Sequence, residues 1–423
     1  MSLSRHSWPV AVARTAVVAV AFIIGCLSLR FTQGTARMLL YRHKKAFHAV
    51  LNLTKRQFVQ ILTFLTVLIN PSRIAVTYDK NHLPESTSFR VDSKGNLISS
   101  IVPNSVWICN HQIYTDWLFL WFLNYTGRFA DCVYIVLKAA LANIPILGPG
   151  MQNYKFLFLS RKWDLDKVNL TNSLLEIDAD ARGMGPASGV SHLTSTSEST
   201  TLPGVSIWPK GNVPEAAKGT TALWPYQMII FPEGTVISPH TRERSNKFAK
   251  KLGRPELKHT LLPRVRGLFL MLRSLRDTAE YVYDVTCGYT GLTAEDYGED
   301  VFTLKAYYIK GYGPSKINYH IRAFAIKDIP LGDDDSADVD NVPPETLAAF
   351  EKWLLDIWAE KDELMKVFFE KGSFESEGTH TVEADFKLRS RHEVFQVLLV
   401  PATAILLARC AWIGVRKLVQ IYA

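Results

Sequence analysis

No Asp or Glu occurs before Asp79 in this 423-residue chain. The same stretch carries Arg5, Arg14, Arg30, Arg37, Arg42, Lys44, Lys45, Lys55, Arg56 and Arg73. Arg409, Arg416 and Lys417 repeat the pattern after Glu393, again without an acidic residue. The formal charge of +8 therefore belongs to the two ends, and the middle is net acidic. That distribution suits anionic lipid headgroups better than nucleic acid. Cysteine is also sparse: Cys26, Cys109, Cys132, Cys287 and Cys410 include no CxxC pair. That excludes a disulfide framework and leaves a reduced, cytosol-facing domain as the expectation. Two motifs are missing as well. Without GxSxG there is no serine-hydrolase elbow, and without GxxxxGK[ST] there is no phosphate-binding P-loop; GPGMQN lacks the third glycine of a dinucleotide fingerprint.

What is present is apolar surface, with 48% hydrophobic and 11% aromatic residues, more than one ordinary soluble domain needs. TAVVAVAFIIGCLSL, residues 15–29, is uncharged between Arg14 and Arg30. It reaches the roughly 20 residues of a membrane span only if Trp8 to Ala13 joins it and Arg14 snorkels. The dense positive charge from Arg30 to Lys45 opposes translocation of the downstream chain, so a retained anchor is expected in preference to a cleaved signal peptide. FVQILTFLTVLI, Phe58 to Ile69, is too short to span and is expected at the interface or against the first helix. VFQVLLVPATAILLARCAWIGV, residues 394–415, has spanning length with a kink at Pro401.

Between the ends, short β-branched and aromatic runs recur: SVWIC (105–109), CVYIVLK (132–138), FLFLS (156–160), YQMIIF (226–231), YVYDVTCGY (281–289), TLKAYYIKG (303–311) and NYHIRAFAI (318–326). Helical stretches such as WLFLWFLNY and LFLMLRSL fall among them. The class this predicts is α/β, a mixed, largely parallel sheet covered by helices, with membrane helices at both termini. The chain divides into four regions: membrane-anchoring helices over 1–72, a main domain over 73–330, an acidic linker with an amphipathic helix over 331–380, and a C-terminal membrane helix over 381–423. Residues 183–222 are Gly/Ser/Thr-rich and are expected to form a disordered surface insert. In 331–380, Phe350, Trp353, Leu354, Ile357, Leu364 and Phe368 keep a helical period, which predicts a helix packed on the core.

Three polar groups come directly after predicted strands: His111 after SVWIC, Arg161 after FLFLS, and Glu233-Gly234-Thr235 after YQMIIFP. In open α/β sheets the carboxyl ends of the strands are where ligands bind. His111 and Asp116, five residues apart, would point about 140° apart on a regular helix. They can meet only if a turn comes first, with the helix beginning near Thr115 and Asp116 in its first turn. A carboxylate there would hold one imidazole nitrogen and leave the other as a base. Cys109 lies on the same side of the strand, but its apolar surroundings predict a buried thiol rather than a nucleophile.

NHQIYTDW resembles the Asn-His-four-residues-Asp motif of the glycerolipid acyltransferases, the lysophospholipid and 1-acylglycerol-3-phosphate acyltransferase superfamily. GMQNYKFLFLSRKW, IIFPEGT and LLPRVRGL resemble its next three blocks, in the same order. NHQIYTDWLFLW, LKAALANIPILGPGMQ and VYDVTCGYTG are most similar to the branch of lysocardiolipin acyltransferase and its fungal relatives, some acting on lysophosphatidylinositol. The likeness runs from about Arg73 to Phe374. It implies acyl transfer from acyl-CoA, a co-substrate, to a lysophospholipid hydroxyl, with no acyl-enzyme, metal or cofactor. It further implies His111 as general base, Asp116 as its orienting group, and Asn110 at the substrate site. Arg161 would hold the acceptor phosphate, and Glu233, Gly234 and Thr235 would shape the glycerol-phosphate site. Pro263, Arg264 and Lys138 are expected to contact phosphate or CoA. Membrane lipids are the expected surroundings, in the endoplasmic reticulum with the site facing the cytosol, or in lipid droplets or mitochondria. A CoA-independent transacylase and a non-enzymatic lipid-binding protein stay open as alternatives.

Overall fold

The computed structural model describes residues 7–160, 162–193, 203–209, 224–333 and 339–422. Two helices begin it, α1 (Trp8–Leu40) and α2 (Lys44–Ile69). Trp8–Ala13 joins the apolar run, and α1 packs along α2. Gly25 is one point of closest approach, since a Cβ there would lie 2.9 Å from Ile61 Cδ1. The 58–69 segment lies in α2, where Phe58, Val59, Ile61, Leu65 and Ile69 are buried. The opposite face of α1, with Val17, Val20, Ile23, Ile24, Leu27 and Phe31, stays exposed.

Eight strands form one sheet: β1 (Arg73–Tyr78), β4 (Asn104–Cys109), β5 (Val133–Lys138), β6 (Leu157–Leu159), β7 (Tyr226–Ile230), β8 (Tyr281–Tyr289), β9 (Lys316–Ala325) and β10 (His380–Asp385). Two more, β2 (Ser88–Val91) and β3 (Leu97–Ser100), make a separate antiparallel pair. The order is β10-β1-β9-β8-β4-β7-β5-β6, and β8, β4, β7, β5 and β6 are mutually parallel. β9 and β1 run against them, and β10 turns back along β1. Parallel strands buried on both faces read as continuous apolar runs, which is why SVWIC and YQMII were legible while RIAVTY and HTVEAD near the edge were not.

Helices cover the two faces: α3 (Asp116–Thr126), α4 (Leu147–Asn153), α5 (Trp163–Ala181), α6 (Pro239–Lys251), α7 (Val265–Leu275), α8 (Gly298–Val301), α9 (Leu304–Tyr308) and α10 (Pro344–Lys371). One apolar cluster joins α1, α2 and α3 to the sheet, and a second joins α5, α7 and α10 to the other face. After a 3-10 segment over Arg391–Leu398 the chain ends in α11 (Leu399–Tyr422). Trp8–Leu40 and Arg391–Lys417 are the two helices, among the described residues, that are long and apolar enough to cross a membrane.

Three expectations differ from the observed fold. TLKAYYIKG is not a strand: the Thr303 hydroxyl accepts from Ala306 N at 2.9 Å and caps α9, so capping overrides the aromatic and β-branched content. Region 381–423 is not membrane helix throughout, because β10, which begins at His380, completes the sheet, while α10 packs on the core as its helical period predicts, burying Phe350, Leu354, Ile357, Trp358, Met365 and Phe368. Within the insert, residues 183–193 and 203–209 are ordered. Leu193 pairs with Ile207, and Asn172 of α5 reaches both Gly204 O and Ser206 N. Asn172, donating to Gly204 O and accepting from Ser206 N, and Asp180, accepting from Ala187 N, hold this part together with the buried Ala187 and Val205. Positions 194–202 and 210–223 lie outside the described residues.

Candidate active site

The carboxyl ends of five parallel strands meet along one edge, and each contributes a polar residue. β4 leads into His111, β7 into Glu233, β5 ends on Lys138, β6 leads to Ser160 and β8 ends on Tyr289. Helix α3 starts at Asp116 with Thr115 as its N-cap, so residues 111–114 form the turn that brings the two motif residues together.

His111 Nδ1 lies 2.8 Å from Asp116 Oδ2. An ionised carboxylate can only accept, so Nδ1 carries the hydrogen and Nε2 is the basic nitrogen. The same Oδ2 accepts from Gln112 N at 2.7 Å and Ile113 N at 3.1 Å, and the Tyr289 hydroxyl donates to Oδ1. Asp116 is thus held from four sides and buried, whereas the imidazole keeps 18% of its surface exposed. Phe231 stacks on the ring with centroids 4.4 Å apart. The His111 backbone is held as well: its N–H donates to Glu233 Oε2 at 3.2 Å and its carbonyl accepts from Ile237 N at 3.1 Å. The imidazole is therefore held in place with one side open. Such a geometry fits removal of a proton from a bound hydroxyl.

The other motif residues fall into distinct settings. Asn110 is fully buried, donating to Cys287 O at 3.0 Å and accepting from Cys287 N at 2.8 Å, so its amide locks β4 to β8 instead of facing the edge. Glu233 is also buried, and burial pushes its carboxyl up to about 8 despite hydrogen bonds from Trp358 and the His111 backbone. Gly234 has φ +74°, and a Cβ there would meet Arg264 Nε at 2.9 Å. The glycine thus lets the arginine lie across the turn. Arg264 caps α7 and donates its backbone N–H to Pro232 O at 2.8 Å, joining the third and fourth blocks. Pro263 is buried beside it, Thr235 is half-buried, and Lys138 is exposed. Arg161 lies outside the described residues. Cys109 is buried and its thiol is pushed well above its ordinary value by burial, unsuited to nucleophilic attack at neutral pH. Among the described residues no group of three or more His, Cys, Asp or Glu is arranged to hold a metal ion.

Sequence reasoning missed Tyr289 as a site residue although it lies inside the block VYDVTCGYTG. Its role depends on β8 lying beside β4, which no local spacing encodes. It missed Trp358 and Asp362 of α10 for the same reason.

Comparison with known proteins agrees with this architecture. The family model described as Acyltransferase matches residues 90–290, and the one described as Acyltransferase C-terminus matches 337–399. The chain belongs to the glycerolipid acyltransferase superfamily, in the branch that holds lysocardiolipin acyltransferase and the fungal lysophosphatidylinositol acyltransferases. Among individual relatives, it is 42% identical to the 2-acyl-1-lysophosphatidylinositol acyltransferase of Saccharomyces cerevisiae, over 91% of this chain and 92% of that one. It is 25% identical to lysocardiolipin acyltransferase 1 of Danio rerio, over 63% of this chain and 53% of the relative. It is 26% identical to lysophosphatidylinositol acyltransferase 10 of Caenorhabditis elegans, over 62% and 52%.

Proposed function

We propose that this protein transfers a fatty acyl group from acyl-CoA to the free hydroxyl of a lysophospholipid, with a lysophosphatidylinositol-type acceptor first and 1-acylglycerol-3-phosphate second. The observation that carries the reading is the His111–Asp116 pair, joined at 2.8 Å, with the imidazole open at the carboxyl edge of the sheet. Likeness to the yeast lysophosphatidylinositol enzyme along nearly its whole length supports the order of acceptors.

In the proposed reaction, Nε2 of His111 takes the proton of the acceptor hydroxyl as its oxygen attacks the thioester carbonyl. The tetrahedral intermediate then expels CoA as its thiolate. The imidazolium returns the proton to the departing sulfur, leaving an ester and free CoA with no acyl-enzyme. A base of this kind supplies on the order of 10²- to 10⁴-fold, with orientation of the two lipids and electrostatic stabilisation of the oxyanion adding the rest. Arg161 is assigned to the acceptor phosphate, for which a guanidinium is a bidentate match. Lys138, Thr235 and Arg264 line the same edge and are assigned to phosphate or CoA contacts. The two apolar terminal helices support a membrane location, which we assign to the endoplasmic reticulum with the site on the cytosolic face, where acyl-CoA is met.

The test is a transfer assay on membranes bearing the protein, with labelled oleoyl-CoA and stearoyl-CoA. The acceptor panel is lysophosphatidylinositol, lysophosphatidic acid and lysocardiolipin, beside a His111→Ala control. Acylation of lysophosphatidylinositol that His111→Ala abolishes is expected. Transfer that persists with a donor phospholipid in the absence of acyl-CoA would make the protein a transacylase, and no transfer to any acceptor would leave only a lipid-binding role.

A further inference from the structure

We infer that Trp358 and Asp362, on helix α10 far along the chain from the dyad, are positioning residues that hold the His111 turn in its reactive geometry. The inference rests on the functional reading above. Four residues apart, the two side chains lie on one face of α10, and each reaches the turn through one intermediary.

The first limb runs through Glu233. Trp358 Nε1 donates to Glu233 Oε1 at 3.2 Å, and Glu233 Oε2 accepts from His111 N at 3.2 Å. Leu261 N donates to the same carboxyl. Trp358 is fully buried and Glu233 is 3% exposed, so these groups face each other and not a substrate. Glu233 also fixes the segment after β7, whose Phe231 stacks on the imidazole and whose Ile237 holds the His111 carbonyl. The second limb runs through residues 258–260. Asp362 accepts from Lys258 N at 2.9 Å, His259 N at 2.7 Å, and Thr260 N at 2.8 Å and Oγ1 at 2.9 Å. His259 O in turn accepts from Gln112 Nε2 at 3.0 Å, one residue beyond the base.

Helix α10 is itself immobilised on the sheet. Lys361 Nζ meets Asp284 Oδ1 at 2.6 Å and Val285 O at 2.7 Å. Phe368 presses on Gly288, where a Cβ would lie 2.7 Å from its ring. A buried, satisfied, anchored pair of hydrogen-bonding residues is what a precise site requires, because a misplacement of about 1 Å in an attacking group can cost 10²-fold. Helix α10 thus completes the active site from far along the chain.

Trp358→Phe keeps an aromatic ring and removes the N–H donor. Its kcat for lysophospholipid acylation is expected to fall about tenfold, with KM for both substrates within twofold of wild type and with the protein still folded at the assay temperature. Asp362→Asn is expected to lower kcat similarly, since an amide nitrogen cannot accept from the backbone donors. Wild-type kcat in folded Trp358→Phe, or a loss confined to KM, would overturn the inference. If Trp358→Phe does not fold, Glu233→Gln decides, because its amide cannot accept from both Trp358 and His111. A fall in kcat at constant KM, with a shifted pH profile, supports the brace, and wild-type kcat sinks it. Failure of the functional reading is distinct, since the wild-type protein would then transfer no acyl group at all.

Discussion

Two buried aspartates of this protein, Asp116 and Asp284, are each 1% exposed and each bound to a nitrogen base, yet their settings differ. Asp284 lies between Lys361 at 2.6 Å and Arg322 at 2.8 Å, with Lys361 fully buried. Burial alone would raise the Asp284 carboxyl, but the two cations outweigh it and hold the carboxyl below its ordinary value. Asp116 faces a histidine, a group that can change its charge, and that ring has an open side at the sheet edge. Burial of a carboxylate therefore says little about function. The partner's titration and its access to substrate separate a structural ion pair from a reactive one.

Substitutions should separate the two clusters. The largest effect is expected for His111→Ala, a loss of about 10³-fold in transfer rate, within the range of general-base contributions, with little change in thermal unfolding. More than a tenth of wild-type rate in that variant would remove the base. Asp116→Asn should come next at about 10²-fold, because the base loses its charged orienting group. A rate within threefold of wild type would make Asp116 a packing residue only. Lys361→Met should act in the opposite sense, lowering unfolding stability by about 3 kcal/mol by leaving Asp284 half-compensated. Denaturant midpoints measure it, and an unchanged midpoint would contradict the structural role.

Acidity should divide the clusters too. The folded Glu233 carboxyl stands at about 8 against an ordinary 4.5, so its contribution to stability is complete below about 4.5 and is lost as pH rises through about 8. The folded Asp284 value is depressed below 3.8, so its contribution is present above that pH and is lost as pH falls through the folded value. Urea midpoints from pH 3 to 9 should show Glu233→Gln flattening only the alkaline limb and Asp284→Asn only the acid limb; the same limb changed by both would refute the division. The smallest effect is expected for exposed Lys138→Ala, a rise of no more than about fivefold in KM for acyl-CoA, the scale of one exposed ion pair. A larger change in kcat than in KM would move Lys138 into the reactive centre.

Most of the parallel sheet was legible because its strands are buried on both faces and read as unbroken apolar runs, YVYDVTCGY matching β8 residue for residue. The turn before Asp116 was legible for a geometric reason, since residues five apart cannot meet on a helix. The edge strand β10 and its neighbour β1 were not, because HTVEAD acquires its pairing only from β1, and RIAVTY only from β10 and β9. Nor was the structure of residues 183–193 and 203–209, which side chains of α5 hold. In the site, His111 and Glu233 stand just past strand ends and Asp116 at the start of the helix that follows, so they could be found by position. Tyr289, Trp358 and Asp362 could not: Tyr289 reaches Asp116 from β8, and Trp358 and Asp362 reach the turn through Glu233 and His259 from α10, far away along the chain.

The sequence by itself determined which residue types stand at the strand ends, the apolar helices at the two termini and the spacing that demands a turn, because these depend on local periodicity and on neighbours within a few positions. Only the tertiary structure decided that Asn110 and Glu233 face inward and that α10 braces the base. Those outcomes depend on which buried donors and acceptors are brought opposite one another, and a buried polar group must find its partner wherever the fold supplies it.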